Sequence, residues 1–327
     1  MGMITLAKLR CKPRHFQKFT GLTVVEFDRV LAAFTIEYER AEQQRRVRAD
    51  RTRAIGAGRP FNLELPERLL MGLVYLRLYC SFSLISYLFH LDESNICREF
   101  KLRLMPALLE VLPVPLRDAP LRSLAPMTAE EPGKTPSKKP KRISTLKELL
   151  EAHPEIEEVL IDATEQEVPQ PSDKLKRKQA FSGKQHDHTV KTQIVATKER
   201  ILHVFGGLPG SIHDMTVLRA SGVVRQIGKG IKVRLDKGYQ GTDTAYPEVA
   251  VQQPLKVPRK GKLTALGRAY NHYLSLLRIP VEHHFARLQK FGCLAGLWRG
   301  ASEDHEDTFC IISGILNFKA NDNLNLA

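Results

Sequence analysis

Asp162 follows directly on Val159, Leu160 and Ile161, an apolar run of the kind required by a strand buried on both faces. A carboxylate buried without a partner is strongly disfavoured, so a residue in that position needs a cation or a set of donors beside it. A lone Asp at such a point is ordinarily a strand-end residue leading into a turn. Here the arrangement repeats: Val233 and Leu235 lead into Asp236, followed by Lys237, Gly238 and Tyr239. Two short strands that each deliver one Asp at or near the end suit a hard cation such as Mg²⁺, which takes a few carboxylate oxygens together with water and substrate phosphate.

The charge balance agrees with a phosphate-bearing partner. Fifty Lys and Arg against thirty-six Asp and Glu leave a net charge of +14, an excess that favours a polyanion, although ribosomal and membrane-surface proteins share it. At 327 residues, 43% of them hydrophobic, the chain is long enough for two domains with real cores. Five scattered cysteines without a CxxC pair indicate a reducing compartment, with neither a disulfide framework nor a zinc ribbon. The first residues mix Lys8, Arg10, Lys12 and Arg14 without a long apolar core, so no signal peptide is expected and the location is cytoplasmic. Leu69–Leu91 is nearly long enough for a bilayer, but Arg77 at its centre and Ser81, Ser83 and Ser86 favour two helices with a break near Ser81 and no membrane contact.

The first 112 residues read as helical. A helix follows Thr23, with Phe27, Val30, Leu31 and Phe34 at helical spacing, and runs into Arg45, Arg46, Arg48, Arg51 and Arg53, either a solvated face or a phosphate contact. Pro66 opens a second helix, Ser83–Phe89 forms a short third, and Ser94–Phe100 opens another, with Pro106 kinking it. A helix, a short turn and a helix bearing Arg98, Lys101 and Arg103 over about 66–112 follow the helix-turn-helix plan, with a basic three-helix bundle as the alternative. From Pro113 to Lys147 seven prolines and a basic run mark an extended linker and a domain boundary.

The remainder, 148–327, alternates strand and helix: strands at 156–168, 189–197, 200–206, 232–235 and 249–257, and helices at 211–227, 263–277, 280–291 and 304–318. Pro280 fits a first helical position, which places Glu282 in a first turn, either as a dipole partner or as a third carboxylate. Gln289 shares its face, flanked by Arg287 and Lys290. Ser211-Ile-His-Asp214 reads as a capping box, with a catalytic role for Asp214 as the alternative. Glu165, three residues past Asp162, points to the opposite strand face. His188 and Lys191 are candidate phosphate contacts; His186, His188, His283 and His284 lack zinc spacing, and Gly183-Lys184 lacks the upstream glycine of a P-loop.

Together these residues carry a resemblance. Asp162 in LIDATE, Asp236 in RLDKGYQG and Glu282 in RIPVEHHFARLQKF resemble the catalytic triad of DDE transposases of the insertion-sequence-five family, relatives of the Harbinger-type enzymes. FSGKQHDHTVKTQ (181–193), with Lys184, His188 and Lys191, resembles the family's Gly-Lys…His-Thr-x-Lys block, LPGSIHDMTVLRASG (208–222) its Gly-Ser-x-His-Asp block, and residues 81–113 its helix-turn-helix. The family's Tyr-x-x-Arg-x-x-x-Glu-x-x-x-x-x-x-Lys segment is met by Arg278 and Glu282. Ser275 stands at its Tyr position and Gln289 at its Lys position, beside Lys290, a departure that touches DNA contacts more than metal ligands.

The resemblance implies a ribonuclease-H-like mixed-sheet α/β catalytic domain behind an all-α helix-turn-helix domain, with the two Asp on neighbouring central strands and the Glu on a helix beside them. It implies Asp162, Asp236 and Glu282 as ligands of two Mg²⁺ or Mn²⁺ ions, and metal-dependent cleavage and strand transfer of double-stranded DNA at terminal inverted repeats by a homodimer or larger assembly. Arg98, Lys101, Arg103, Lys184, His188, Lys191, Arg278, Arg287 and Lys290 are then DNA-contact candidates, and Asp214 an accessory acid. A DNA-binding protein with relic carboxylates and a stand-alone metal-dependent endonuclease are the alternatives.

Overall fold

The computed structural model describes residues 3–47, 61–117, 143–258 and 260–320. Most of the proline-rich stretch, and Arg48, Arg51 and Arg53, lie outside them.

The N-terminal part is helical, as its periodicity requires: α1 (Leu6–Arg10), α2 (Pro13–Thr20), α3 (Val24–Arg46), α4 (Leu65–Leu78), α5 (Phe82–Phe89), α6 (Glu93–Glu99), a π-helical turn (Phe100–Leu104) and α7 (Met105–Val111). Thr23 and Glu26 form a reciprocal capping box that starts α3. α4 ends at Tyr79 in the left-handed region and Ser81 caps α5, so the break falls where the serines indicate. Pro106 lies within a continuous helical run, since α6, the π turn and α7 follow one another with helical dihedrals at each junction. It sits in the first turn of α7 behind the π turn; lacking an N–H, it frees the Leu102 carbonyl four residues back, which accepts from Arg45.

The rest begins with α8 (Leu146–Ala152) and β1 (Glu158–Glu167), followed by α9 (Lys174–Ala180), β2 (Phe181–Ser182), β3 (Asp187–Ala196) and β4 (Ile201–Pro209). After these come α10 (Asp214–Ser221), α11 (Val223–Gln226), β5 (Lys232–Arg234), a 3-10 turn (Lys237–Tyr239), α12 (Thr242–Ala245), β6 (Ala250–Gln252), α13 (Ala265–Leu288), α14 (Gly292–Ala295) and α15 (Ser302–Ala320). β1 lies at the centre of one mixed sheet. It is antiparallel to β3, which pairs with β2 and β4, and parallel to β5, which pairs with β6.

Three sequence expectations are corrected. The segments 263–277 and 280–291 are one helix, α13, with Pro280 inside it, so Glu282 lies in its last turns and not in a first turn. The carbonyl that Pro280 leaves without a donor belongs to Leu276, a half-exposed residue. The helix expected over 211–227 breaks at Gly222, whose φ of 62° ends α10, and the cap of α10 is the His213 side chain and not Ser211. The last strand is only Ala250–Gln252.

Alternation along the strands sends side chains into two layers. Val159, Ile161 and Val195 pack with α8, α10 and α11 on one face. Leu160, Ile194 and Val204 face α15 and join a core that continues through Leu104 and Leu108 to Phe16, Phe27 and Phe34. Leu116 is tied to β4 on both sides, donating to Leu202 and accepting from Val204 at 2.8 Å each.

Candidate active site

Strand register brings the two aspartates level. The parallel ladder between β1 and β5 ends with Leu160 opposite Arg234; Asp162 and Asp236 are each two residues further on. Asp162 is thus mid-strand in its pairing with β3, opposite Ile194, but lies just past the β1–β5 pairing, in the gap where β5 has ended. Adjacent strands run about 4.8 Å apart, so two carboxylates leave the sheet side by side.

One guanidinium answers both. Arg278 of α13 donates to Asp162 Oδ2 at 2.7 Å and to Asp236 Oδ1 at 2.9 Å. Its side chain is 13% exposed, against 19% for Asp162 and 43% for Asp236. Burial pushes the Asp162 carboxyl up from its ordinary value, opposed by Arg278 and by the Ala163 N–H that it accepts at 2.9 Å. Glu282 is four residues beyond Arg278, on the same face one turn along, and exposed. Among the described residues no three His, Cys, Asp or Glu side chains come close enough together to hold an ion. The donor set nonetheless suits a hard cation: two level carboxylates are neutralised by a shared positive group, and here that group is Arg278.

Tyr239, which the sequence reading passed over, belongs to this centre. It is fully buried in the turn after Asp236 and its hydroxyl has no hydrogen-bond partner among the described residues. Burial first, then the negative charge of Asp162, Asp214 and Asp236, drives its acidity well below that of a free tyrosine. The signal was available, since a tyrosine three residues after Asp236 lies within one tight turn of it. Asp214 closes in from the other side: a Cβ on Gly238 would come 2.6 Å from its Oδ2, so this turn accepts only glycine there without a shift of the carboxylate.

Other sequence candidates fall in different places. Lys191 is 5% exposed and bonds Asp214 Oδ1 at 2.8 Å, Glu165 Oε1 at 3.3 Å and the Ile212 carbonyl at 2.6 Å, so it is an internal cation and not a surface phosphate contact. Glu165 does face away from Asp162, as alternation requires, and also accepts from Thr189. Arg103 is likewise engaged, with Glu42 at 2.9 Å and Glu99 at 3.3 Å, in a network in which Glu99 also holds Arg68 and Tyr38. Lys101 pairs with Asp304 of α15 at 2.7 Å, while Arg98 is exposed and, among the described residues, bonds Ser94 and Asn95 of its own helix. Lys184 and Lys290 are exposed, Arg287 is half-buried and bonds the His283 carbonyl, and His188 leans on Phe181. His284 is a core histidine bonded to the Thr197 carbonyl at 2.9 Å. All five cysteines are free, and no helix among the described residues is long and apolar enough to cross a membrane.

Comparison with known proteins identifies the family. The family model described as DDE superfamily endonuclease matches residues 161–317, a span that contains Asp162, Asp236, Arg278 and Glu282. The model described as the helix-turn-helix of DDE superfamily endonuclease matches residues 61–108. A probable transposase for insertion sequence element IS702 from Microchaete diplosiphon is 31% identical over 275 residues, covering 84% of this chain and 87% of that protein. No solved structure matches. A helix-turn-helix match ahead of an endonuclease match, and a transposase relative spanning nearly the whole of both, place this chain in the DDE superfamily of endonucleases, among its DNA transposases.

Proposed function

We propose that this transposase is of the insertion-sequence-five type and that Asp162, Asp236 and Glu282 are its catalytic carboxylates, holding two divalent cations, Mg²⁺ or Mn²⁺. The observation that carries the reading is the level placement of Asp162 and Asp236 around one shared positive charge. Their position on neighbouring central strands, with α13 alongside, also supports a ribonuclease-H-like catalytic domain at 148–327, behind a helical domain at 1–112 and a linker at 113–147.

The chemistry that divalent cations supply in such a site is polarisation of the attacking and leaving oxygens of an in-line displacement at phosphorus. No protein nucleophile is needed, so the chain's task is to position groups and balance charge. Asp162 and Asp236 are fixed by strand register. Arg278 neutralises both, and it would have to release carboxylate oxygens for a divalent cation to be held there. Glu282, exposed one turn beyond Arg278 on α13, would join the two aspartates as the third ligand. The DNA is double-stranded and is engaged at the terminal inverted repeats through the helix-turn-helix, where exposed Arg98 is available; joining two ends calls for a homodimer or larger assembly.

The test is a cleavage assay on duplexes carrying the sequence that flanks this reading frame, with Mg²⁺ or Mn²⁺. Nicking and strand transfer by the wild type, abolished in Asp162→Ala, Asp236→Ala and Glu282→Ala while DNA binding and thermal stability persist, is the expected result. Binding without cleavage under either metal overturns the catalytic assignment, and cleavage without joined products makes the protein an endonuclease only.

A further inference from the structure

The insertion between β1 and β3 carries positive charge that the catalytic centre leaves unused. Residues 173–188 hold five cations, Lys174, Lys176, Arg177, Lys178 and Lys184, against two acids, Asp173 and Asp187. α9 buries none of its side chains, so the core gains nothing from it, and Asp173 is occupied as its cap, accepting from the Lys176 N–H at 2.8 Å. Lys174, Arg177 and Lys178 recur at helical spacing and share one face. With Phe181 and His188 they line an open hollow of about 320 Å³. Arg177 is held by the carbonyls of Pro171 and Ser172 at 3.0 and 3.2 Å, which orient the guanidinium without neutralising it. Among the described residues the Lys174, Lys176 and Lys178 ammonium groups pair with no carboxylate. Phe181 is 43% exposed, and its ring meets that of His188 edge-on at 5.6 Å.

Register locates the hollow relative to the catalytic centre. Asp162 lies opposite Ile194; His188 is six residues back along β3 and opposite Phe181. An even separation keeps Phe181 and His188 on the sheet face of Asp162. At about 3.3 Å per residue the distance is about 20 Å, the rise of roughly six base pairs at 3.4 Å each.

The geometry points to a second DNA-contact surface: duplex about six base pairs from the scissile phosphate seats its backbone on Lys174, Arg177 and Lys178, with the Phe181 ring against the sugar edge. The position, though not the contact itself, rests on Asp162 marking the scissile phosphate. Cations meet phosphates sequence-independently, and each phosphate neutralised contributes about 0.9 to the slope of log affinity against log salt.

The experiment measures that slope for the full chain on a 30-base-pair duplex, using the flanking sequence and a scrambled one. The triple variant Lys174→Ala/Arg177→Ala/Lys178→Ala is expected to lower the slope by about 2.7 on both duplexes, with an unchanged melting temperature because α9 buries nothing. A control with equal charge removed from exposed Lys8, Lys12 and Arg14 is expected to change it by less than one. An unchanged slope in the α9 variant, or an equal fall in the control, overturns the surface. Hydroxyl-radical protection about six base pairs from the nick, lost in the α9 variant, checks the position; protection retained there overturns it. If the wild type nicks neither duplex, the catalytic assignment fails while the slope comparison still decides the surface.

Discussion

Asp162 and Asp236 occupy equivalent positions, each two residues past the last rung of the parallel β1–β5 ladder, and Arg278 ties them together from a helix more than forty residues further along the chain. Without that guanidinium, two half-desolvated negative charges would stand a strand spacing apart. Arg278→Ala is expected to lower metal-free stability by about 2 kcal/mol, less than the 3–5 kcal/mol of a fully buried pair because Asp236 is 43% exposed. Added Mg²⁺ should then restore more of the melting temperature in the variant than it adds to the wild type. Thermal unfolding with and without MgCl₂ checks both, and an unaltered metal-free melting temperature would contradict the pairing.

Lys191 answers two carboxylates on the opposite sheet face. Lys191→Met should destabilise the protein by about 3 kcal/mol, since Glu165 and Asp214 lose the cation they share in a site that is 6% exposed at Glu165. The double variant Lys191→Met/Glu165→Gln should lose less than the single one. Urea unfolding of the two proteins is the measurement, and equal losses would show that the charges are not coupled.

The two arginines of the helix-turn-helix part company. Arg103→Ala should cost about 1–2 kcal/mol of stability by releasing Glu42 and Glu99. Arg98→Ala should leave the melting temperature within about a degree and weaken DNA binding, because among the described residues its side chain bonds its own helix alone. Melting and binding measured on both variants would separate them, and the reverse pattern would refute the placement.

His305 gives the stability a pH dependence. It is 1% exposed, donates from Nε2 to Gln166 Oε1 at 2.9 Å, and burial pulls its pKa down to about 4. The folded state therefore binds fewer protons than the unfolded chain between about 6.5 and 4, so stability is intact above 6.5 and is lost as pH falls through that window. The loss is on the order of 3 kcal/mol at 1.36 kcal/mol per pH unit. Denaturant titrations at pH 7, 6 and 5 should follow it, and His305→Gln should flatten the curve.

Local chemistry fixed much of this in the sequence. An Asp inside an apolar run, repeated at Asp236, announced a charged centre before any neighbour was known, and apolar spacing placed α3, α4 and α15 within a few residues. A helix after Thr23 and a break near Ser81 were legible because helix starts and stops are local; the structure shows both residues capping, each within three residues of the N–H it accepts from. Tertiary structure decided what each charge is for. Lys191, Arg103 and exposed Arg98 are alike as sequence, and only packing determines that the first two spend their charge on carboxylates from distant segments while the third stays free for a partner. Pro280 would stop a helix by its local rule, yet α13 runs through it, since the anchoring of Leu274, Val281 and Leu288 in the core outweighs one lost hydrogen bond. That continuity carries Arg278 to both aspartates and sets Glu282 one turn beyond. Such a relationship depends on strand register and helix docking, which are summed over contacts far apart in the chain and leave no trace in any single stretch of it.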